Sequence, residues 1–184
     1  GKFNAGFTIP DNIDEIVSFQ LLKKYILEKQ LTKLVDVGCF VGWMGKELST
    51  LGVAVHGIDI HPVIIQLAAF YATGTPATFE YLPVQKLGAK YPKQFDGAIV
   101  FDVLEHTFDP ELAIASINRA TKNWVFVNLP HPQGEADANK HPLKEHEHLY
   151  AFSEKRVNEL FPKSTIEVLE NERGTVNWFI YYDV

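Results

Sequence analysis

Leu34-Val35-Asp36-Val37-Gly38-Cys39-Phe40-Val41-Gly42 is the stretch whose reading decides the fold. Leu34 to Val37 is a short, mostly apolar run of strand-forming residues. It meets two glycines four positions apart, and Trp43 to Leu51 then reads as a helix closed by Gly52. Gly38 and Gly42 let the backbone bend and come close to a ligand, and a helix start offers unpaired N–H groups. Val53-Ala54-Val55-His56-Gly57-Ile58 follows as a second strand. Asp59 closes it, 21 residues after Gly38. An acid at that place can accept hydrogen bonds from both ribose hydroxyls of a nucleotide-like ligand. The dinucleotide fingerprint G-x-G-x-x-G is not met, because Phe40 stands where the second glycine belongs. A side chain there obstructs a pyrophosphate approaching the backbone. An adenosyl ligand without phosphates suffers less, so a nicotinamide-dependent oxidoreductase is disfavoured.

Outward from this turn, apolar strand-like runs alternate with helical patterns, which favours a parallel sheet covered on both faces. Upstream, Pro10-Asp11-Asn12 opens a predicted helix to about Lys29, with Ile13, Val17, Leu21 and Tyr25 recurring every four residues. Downstream, Pro62 to Thr73 reads as a helix with proline near its start and Gly74 after its end. Ala77 to Leu82 is a third, half-polar strand and Phe95 to Phe101 a fourth. Asp109-Pro110 starts a helix that runs to about Lys122, and Trp124 to Leu129 is a fifth strand. Ser153 caps a helix ending before Pro162. Thr165 to Leu169 and Val176 to Tyr182 form a closing hairpin, so one strand runs antiparallel in an otherwise parallel sheet.

The chain has 184 residues, 46% of them hydrophobic and 22% charged, with a formal net charge of −6. These values suit one ordinary domain spanning residues 1–184, in which an N-terminal helical segment, residues 1–32, precedes the core at 33–184. The charge argues against a nucleic-acid backbone as partner, and Lys23-Lys24 is too small to make a basic patch. Pro62 to Phe79 carries no charge or histidine, but Gln66, Gly74, Thr75 and Pro76 interrupt it, so it does not read as a membrane span. No signal peptide is visible. Cys39 is the single cysteine, so an internal disulfide is excluded and a reducing, cytoplasmic setting is expected.

Three stretches resemble the class I S-adenosylmethionine-dependent methyltransferases. Asp36 to Gly42 is similar to their first motif, usually D-x-G-C-G-x-G. Gly57-Ile58-Asp59-Ile60 is similar to the ribose-binding end of their second strand. Phe95-Asp96-Gly97-Ala98-Ile99-Val100-Phe101-Asp102-Val103-Leu104-Glu105-His106 resembles their fourth-strand motif, above all in Val-Leu-Glu-His. Leu129-Pro130 and His148-Leu149-Tyr150-Ala151-Phe152-Ser153 suit the small-molecule and ubiquinone-biosynthesis-like branches. The resemblance implies a Rossmann-like, doubly wound seven-stranded sheet, mostly parallel, with one antiparallel strand in the C-terminal hairpin. It also implies S-adenosylmethionine as methyl donor and S-adenosylhomocysteine as product.

By the same resemblance Asp36, Gly38, Cys39, Phe40 and Gly42 would cradle the donor. Asp59 would hold the ribose, Ile60 would pack on the adenine, and Phe101 and Asp102 would lie near the methionine part and the acceptor. Two departures stand out. Phe40 replaces the middle glycine of the first motif. The acid common after the third strand is missing from Tyr81-Leu82-Pro83-Val84-Gln85, so adenine is expected to meet the backbone around Val84, or Gln85.

Methyl transfer from a sulfonium mainly needs alignment and sometimes removal of a proton. His106, just past the fourth strand, is the best-placed base by topology, and capping within the Glu105–Asp109 loop is its alternative role. Pro130 to Tyr150 is a long loop holding His131, His141, His146 and His148. His146-Glu147-His148 can present two imidazoles on one side of an extended segment, but neither HExxH nor CxxC occurs, and the loop reads as a polar lid rather than a metal site. His148, next to the apolar Leu149-Tyr150, is the candidate inward-facing histidine. Cys39 has no neighbouring base and reads as packing. The expected acceptor is a small molecule methylated on oxygen or nitrogen. The competing expectation is a non-catalytic domain of the same fold that binds the cofactor or a protein.

Overall fold

A computed structural model describes residues 16–132, 149, 152–170, 174 and 176–184. β1 (Lys33–Val37) is buried at four of its five positions, as a strand covered on both faces must be. It pairs in parallel with β2 (Ala54–Asp59) on one side and with β4 (Phe95–Phe101) on the other. β3 (Thr78–Tyr81) continues the sheet beyond β2, and β5 (Thr121–Pro130) continues it beyond β4, both in parallel. β7 (Val176–Asp183) runs antiparallel between β5 and β6 (Thr165–Glu170). The order β3-β2-β1-β4-β5-β7-β6 is the expected doubly wound, seven-stranded arrangement with an antiparallel strand in the C-terminal hairpin. The chain direction across the sheet reverses between β1 and β4. In open α/β sheets ligands bind in the crevice beyond the carboxyl ends of such a strand pair.

Two apolar layers hold the sheet. On one face α1 (Val17–Glu28) and α2 (Trp43–Thr50) bring Phe19, Leu22, Met44 and Leu48 against Leu34, Val55, Ile99 and Phe126. On the other face α4 (Val84–Lys90), α5 (Pro110–Ala120) and α6 (Glu154–Leu160) bring Leu87, Ala113, Ile117 and Val157 against Val35, Val37, Ala98 and Val127. α3 (Pro62–Tyr71) flanks the β2–β3 edge and fully buries Ala68 alone, leaving Val63 and Phe70 exposed. Among the described residues no helix is long and apolar enough to cross a membrane.

Local chemistry explains the helix starts. The Asp109 carboxylate accepts the Leu112 N–H at 2.8 Å, with Pro110 in the first turn, and the Ser153 hydroxyl accepts the Arg156 N–H at 3.3 Å. α5 ends two residues earlier than expected, because Thr121 already pairs with Phe95 as the first residue of β5. α4 is absent from the sequence reading. Seven residues are too few for a helical period to show, and Gly88 lowers the propensity further.

That glycine is there for packing. A Cβ at Gly88 would lie 2.5 Å from the Ser116 carbonyl oxygen and 2.7 Å from Arg119 Cβ. The Ser116 hydroxyl meanwhile accepts the Gly88 N–H at 2.9 Å and donates to the Val84 carbonyl at 2.6 Å. α4 and α5 therefore touch backbone to backbone. Gly88→Ala is expected to destabilise the protein by about 1–3 kcal/mol, as overpacking of a rigid contact does. Gly52→Ala is the contrast: nothing lies within 4 Å of its would-be Cβ, so its cost comes from the left-handed φ of 80° alone. Urea unfolding of both variants checks the comparison, and an undisturbed Gly88→Ala midpoint would overturn this account of the α4–α5 contact.

Candidate functional site

The turn that joins β1 to α2 is built on the end of β2. Gly38 N–H and Cys39 N–H both donate to the Ile58 carbonyl, at 2.8 and 3.0 Å. Phe40 N–H donates to Asp59 Oδ2 at 3.3 Å, and His61 N–H to Asp59 Oδ1 at 2.9 Å. Gly42 N–H closes the turn on the Cys39 carbonyl at 2.9 Å. The N–H groups of Gly38, Cys39 and Phe40 are therefore bonded within the protein. Each Asp59 oxygen accepts one of these bonds and keeps lone-pair capacity for more.

Gly38, Phe40 and Gly42 all take left-handed φ values, of 70°, 46° and 75°. Phe40 thus adopts the backbone conformation natural to glycine, at a cost of about 1–2 kcal/mol for an L residue. The bonds to β2 hold Phe40 in this conformation. The room left by the glycines is filled from within the molecule. A Cβ at Gly38 would fall 2.4 Å from Val103 Cγ2, and one at Gly42 would fall 2.7 Å from the Phe79 ring. Phe79 also packs over Gly45 and Gly57, a role that sequence reading missed. Its place in β3, opposite Gly57 in register, is the signal that carries it.

Charge is unevenly supplied. Asp36 is 4% exposed, and its Oδ2 has no hydrogen-bond partner. Burial, with Asp59's charge adding to it, pushes the Asp36 carboxyl up to about 7. Cys39 is buried too. Burial, then the charges of Asp36 and Asp59, drives its thiol well above the ordinary range, so it is no nucleophile and the packing role fits. Ile60, beside Asp59, is 56% exposed and presents an apolar surface at the same rim. Val84 is buried in the first turn of α4 while Gln85 is exposed.

The end of β4 forms the opposite wall. Phe101 is half-buried, its ring 5.4 Å from that of Phe126. Asp102 is exposed with a left-handed φ of 52°. Its N–H donates to the Asn128 carbonyl at 3.1 Å, and Asn128 Nδ2 donates to Asp102 Oδ1 at 3.3 Å. Asn177 Nδ2 donates in turn to Asn128 Oδ1 at 2.9 Å. Asn177 Oδ1 is buried without a partner, a state that costs about 1–3 kcal/mol. Neither asparagine stood out in the sequence, since a lone polar residue in an apolar strand has no pattern of its own. His106 ends a single 3-10 turn (Leu104–His106) with its side chain exposed, and Glu105 before it is wholly buried. The Glu105 carbonyl accepts the Leu149 N–H at 2.7 Å. His141, His146 and His148 lie outside the described residues. His131 packs its ring 4.4 Å from Trp178. Among the described residues no three His, Cys, Asp or Glu side chains are grouped to hold a metal ion.

Known proteins align with this arrangement. A family described as a methyltransferase domain matches residues 9–171. The ubiquinone biosynthesis O-methyltransferase of Thiobacillus denitrificans is 31% identical over 100 residues, covering 52% of this chain and 43% of that protein. The chain thus spans less than half the length of that relative. The structure of the PH0226 protein from Pyrococcus horikoshii superposes with a TM-score of 0.75 at 21% identity, over 90% of this chain and 86% of the other. Magnesium protoporphyrin IX methyltransferase from Synechocystis, solved with bound S-adenosylhomocysteine, gives 0.73 at 18% identity, over 90% and 81%. With its first motif, its reversal point between β1 and β4 and a family match over most of its length, the chain belongs to the methyltransferase-domain family, in the S-adenosylmethionine-dependent class that its motifs resemble.

Proposed function

We propose that the protein transfers the methyl group of S-adenosylmethionine to an oxygen atom of a small molecule. The observation that carries this is Asp59: a carboxylate at the carboxyl end of β2, fixed by two backbone N–H groups, beside the turn and beside exposed Ile60. That acceptor beside an apolar side chain suits a ribose and an adenine ring. The buried, unpartnered Asp36 oxygen suits the cationic end of the same ligand. The choice of oxygen rests on relatives named as O-methyltransferases.

When bound, the cofactor supplies an electrophilic methyl on a good leaving group. The protein's part is placement. Asp59 orients the ribose side, the half-buried Phe101 and the turn exclude water, and Asp102 faces the crevice from the end of β4. His106 is the group assigned to take the acceptor's proton, since it stands just past β4 with an exposed side chain that can act as a general base. Residues 1–32 as a helical cover, the chain acting as a single unit and a cytoplasmic setting belong to the same reading.

Calorimetric titration with S-adenosylhomocysteine, with NAD as control, tests the cofactor. One-site binding of the former alone is expected. Asp59→Ala should weaken it roughly 100-fold, the worth of two charge-assisted hydrogen bonds. His106→Ala should leave that affinity in place and slow labelled methyl transfer in a panel of small hydroxylated acceptors. Binding with no transfer by the parent protein to any acceptor would favour the non-catalytic reading instead.

Asp36 gives a pH test. Its folded value near 7 lies above its ordinary 3.8, so the native state holds this proton more tightly than the unfolded chain does. The associated stability is full below about pH 4, is lost as pH rises towards 7 and changes no further above that. Asp36→Asn removes the loss. Its melting temperature should gain on the parent's by roughly 5 °C between pH 5 and pH 8. A constant difference across that range would show that Asp36 is not protonated in the native protein.

A further inference from the structure

We propose that Asn128 and Asn177 are positioning residues that fix the Asp102 carboxylate at the mouth of the site. This rests on the methyltransferase reading above. Asn128 grips Asp102 twice, through its backbone carbonyl at 3.1 Å and its side-chain Nδ2 at 3.3 Å. An ionised carboxylate only accepts, so Asn128 must turn its NH2 towards Asp102. Its amide oxygen then faces away, where Asn177 Nδ2 donates to it at 2.9 Å. The polarity of the chain is therefore set at its charged end, and the mismatch is carried to the far end as the buried, unpartnered Asn177 Oδ1.

Placement gives the relay its meaning. It crosses three strand positions, from the end of β4 through β5 to β7, with Asn128 and Asn177 5% and 6% exposed. Asn128 shares its sheet face with Phe126, and Asn177 with Phe179, both in the apolar layer under α1. Two apolar side chains would suit that layer and leave no orphaned oxygen. What the amides supply is a fixed direction for Asp102, whose left-handed backbone is the kind of strain that persists where surrounding bonds over-determine it. The antiparallel strand β7, remote in sequence from every motif, thereby reaches the reaction crevice.

Nitrogen-15 side-chain amide spectra and S-adenosylhomocysteine calorimetry on the parent, Asp102→Asn, Asn177→Leu and the double variant test this. In ligand-free protein, Asp102→Asn is expected to move the side-chain resonances of both Asn128 and Asn177, though Asn177 bonds to Asn128 and not to Asp102. Asn177→Leu should weaken S-adenosylhomocysteine roughly tenfold in the parent and less than twofold in the Asp102→Asn background, with the melting temperature nearly unchanged. Asn177→Ser, too short to reach Asn128, stands in if the leucine variant fails to fold. An Asn177 resonance indifferent to Asp102→Asn, or equal losses in both backgrounds, overturns the proposal. A parent that binds no S-adenosylhomocysteine defeats the methyltransferase reading, while the ligand-free spectra still decide the relay.

Discussion

The Ile58 carbonyl accepts two N–H groups, from Gly38 and Cys39, and beside it the Asp59 carboxylate takes a third from Phe40. These bonds tie the turn after β1 to the end of the neighbouring strand. They set where α2 begins and which way the rim of the sheet opens. They also explain how Phe40 is tolerated at φ 46°. A turn held at three consecutive N–H groups has no freedom to relax towards the conformation a side chain prefers, so the local cost is absorbed by the pairing around it. The site geometry is thus a property of β1 and β2 together, not of the glycines.

The same crowding shapes the electrostatics. Asp36 and Asp59 lie near the carboxyl ends of adjacent parallel strands, one buried and one half-buried. Burial of the first, with the second's charge nearby, favours the neutral form of Asp36. A crevice prepared in this way has one carboxylate committed to hydrogen bonding and a second whose ionisation awaits a positive neighbour.

The sequence made some of this legible and not the rest. The strands read correctly because their apolar runs and turn residues agree, and the C-terminal hairpin because its connection is short. Asp59 was legible because a βαβ unit fixes its distance from the glycine turn. What stayed hidden has a physical reason in each case. α4 is a seven-residue helix broken in propensity by Gly88, and its identity comes from contact with Ser116 and Arg119. The glycine cradle looks the same in sequence whether a ligand or a neighbouring side chain fills it, and here Val103 and Phe79 do. The pairing of Asn128 with Asn177 depends on the register between β5 and β7, and register is settled only when the sheet closes.

Val103 and Gly38 have a consequence for how such a chain can drift over generations. A methyl group of Val103 occupies the volume that any side chain at position 38 would need. A change at either position is therefore filtered by the other, although one follows β1 and the other follows β4. Phe79 imposes the same bargain on Gly42 and Gly57 at once, because one ring excludes a Cβ from both. The glycine pattern of the first motif is in this sense guarded from a distance, by Phe79 of β3 and by Val103 after β4.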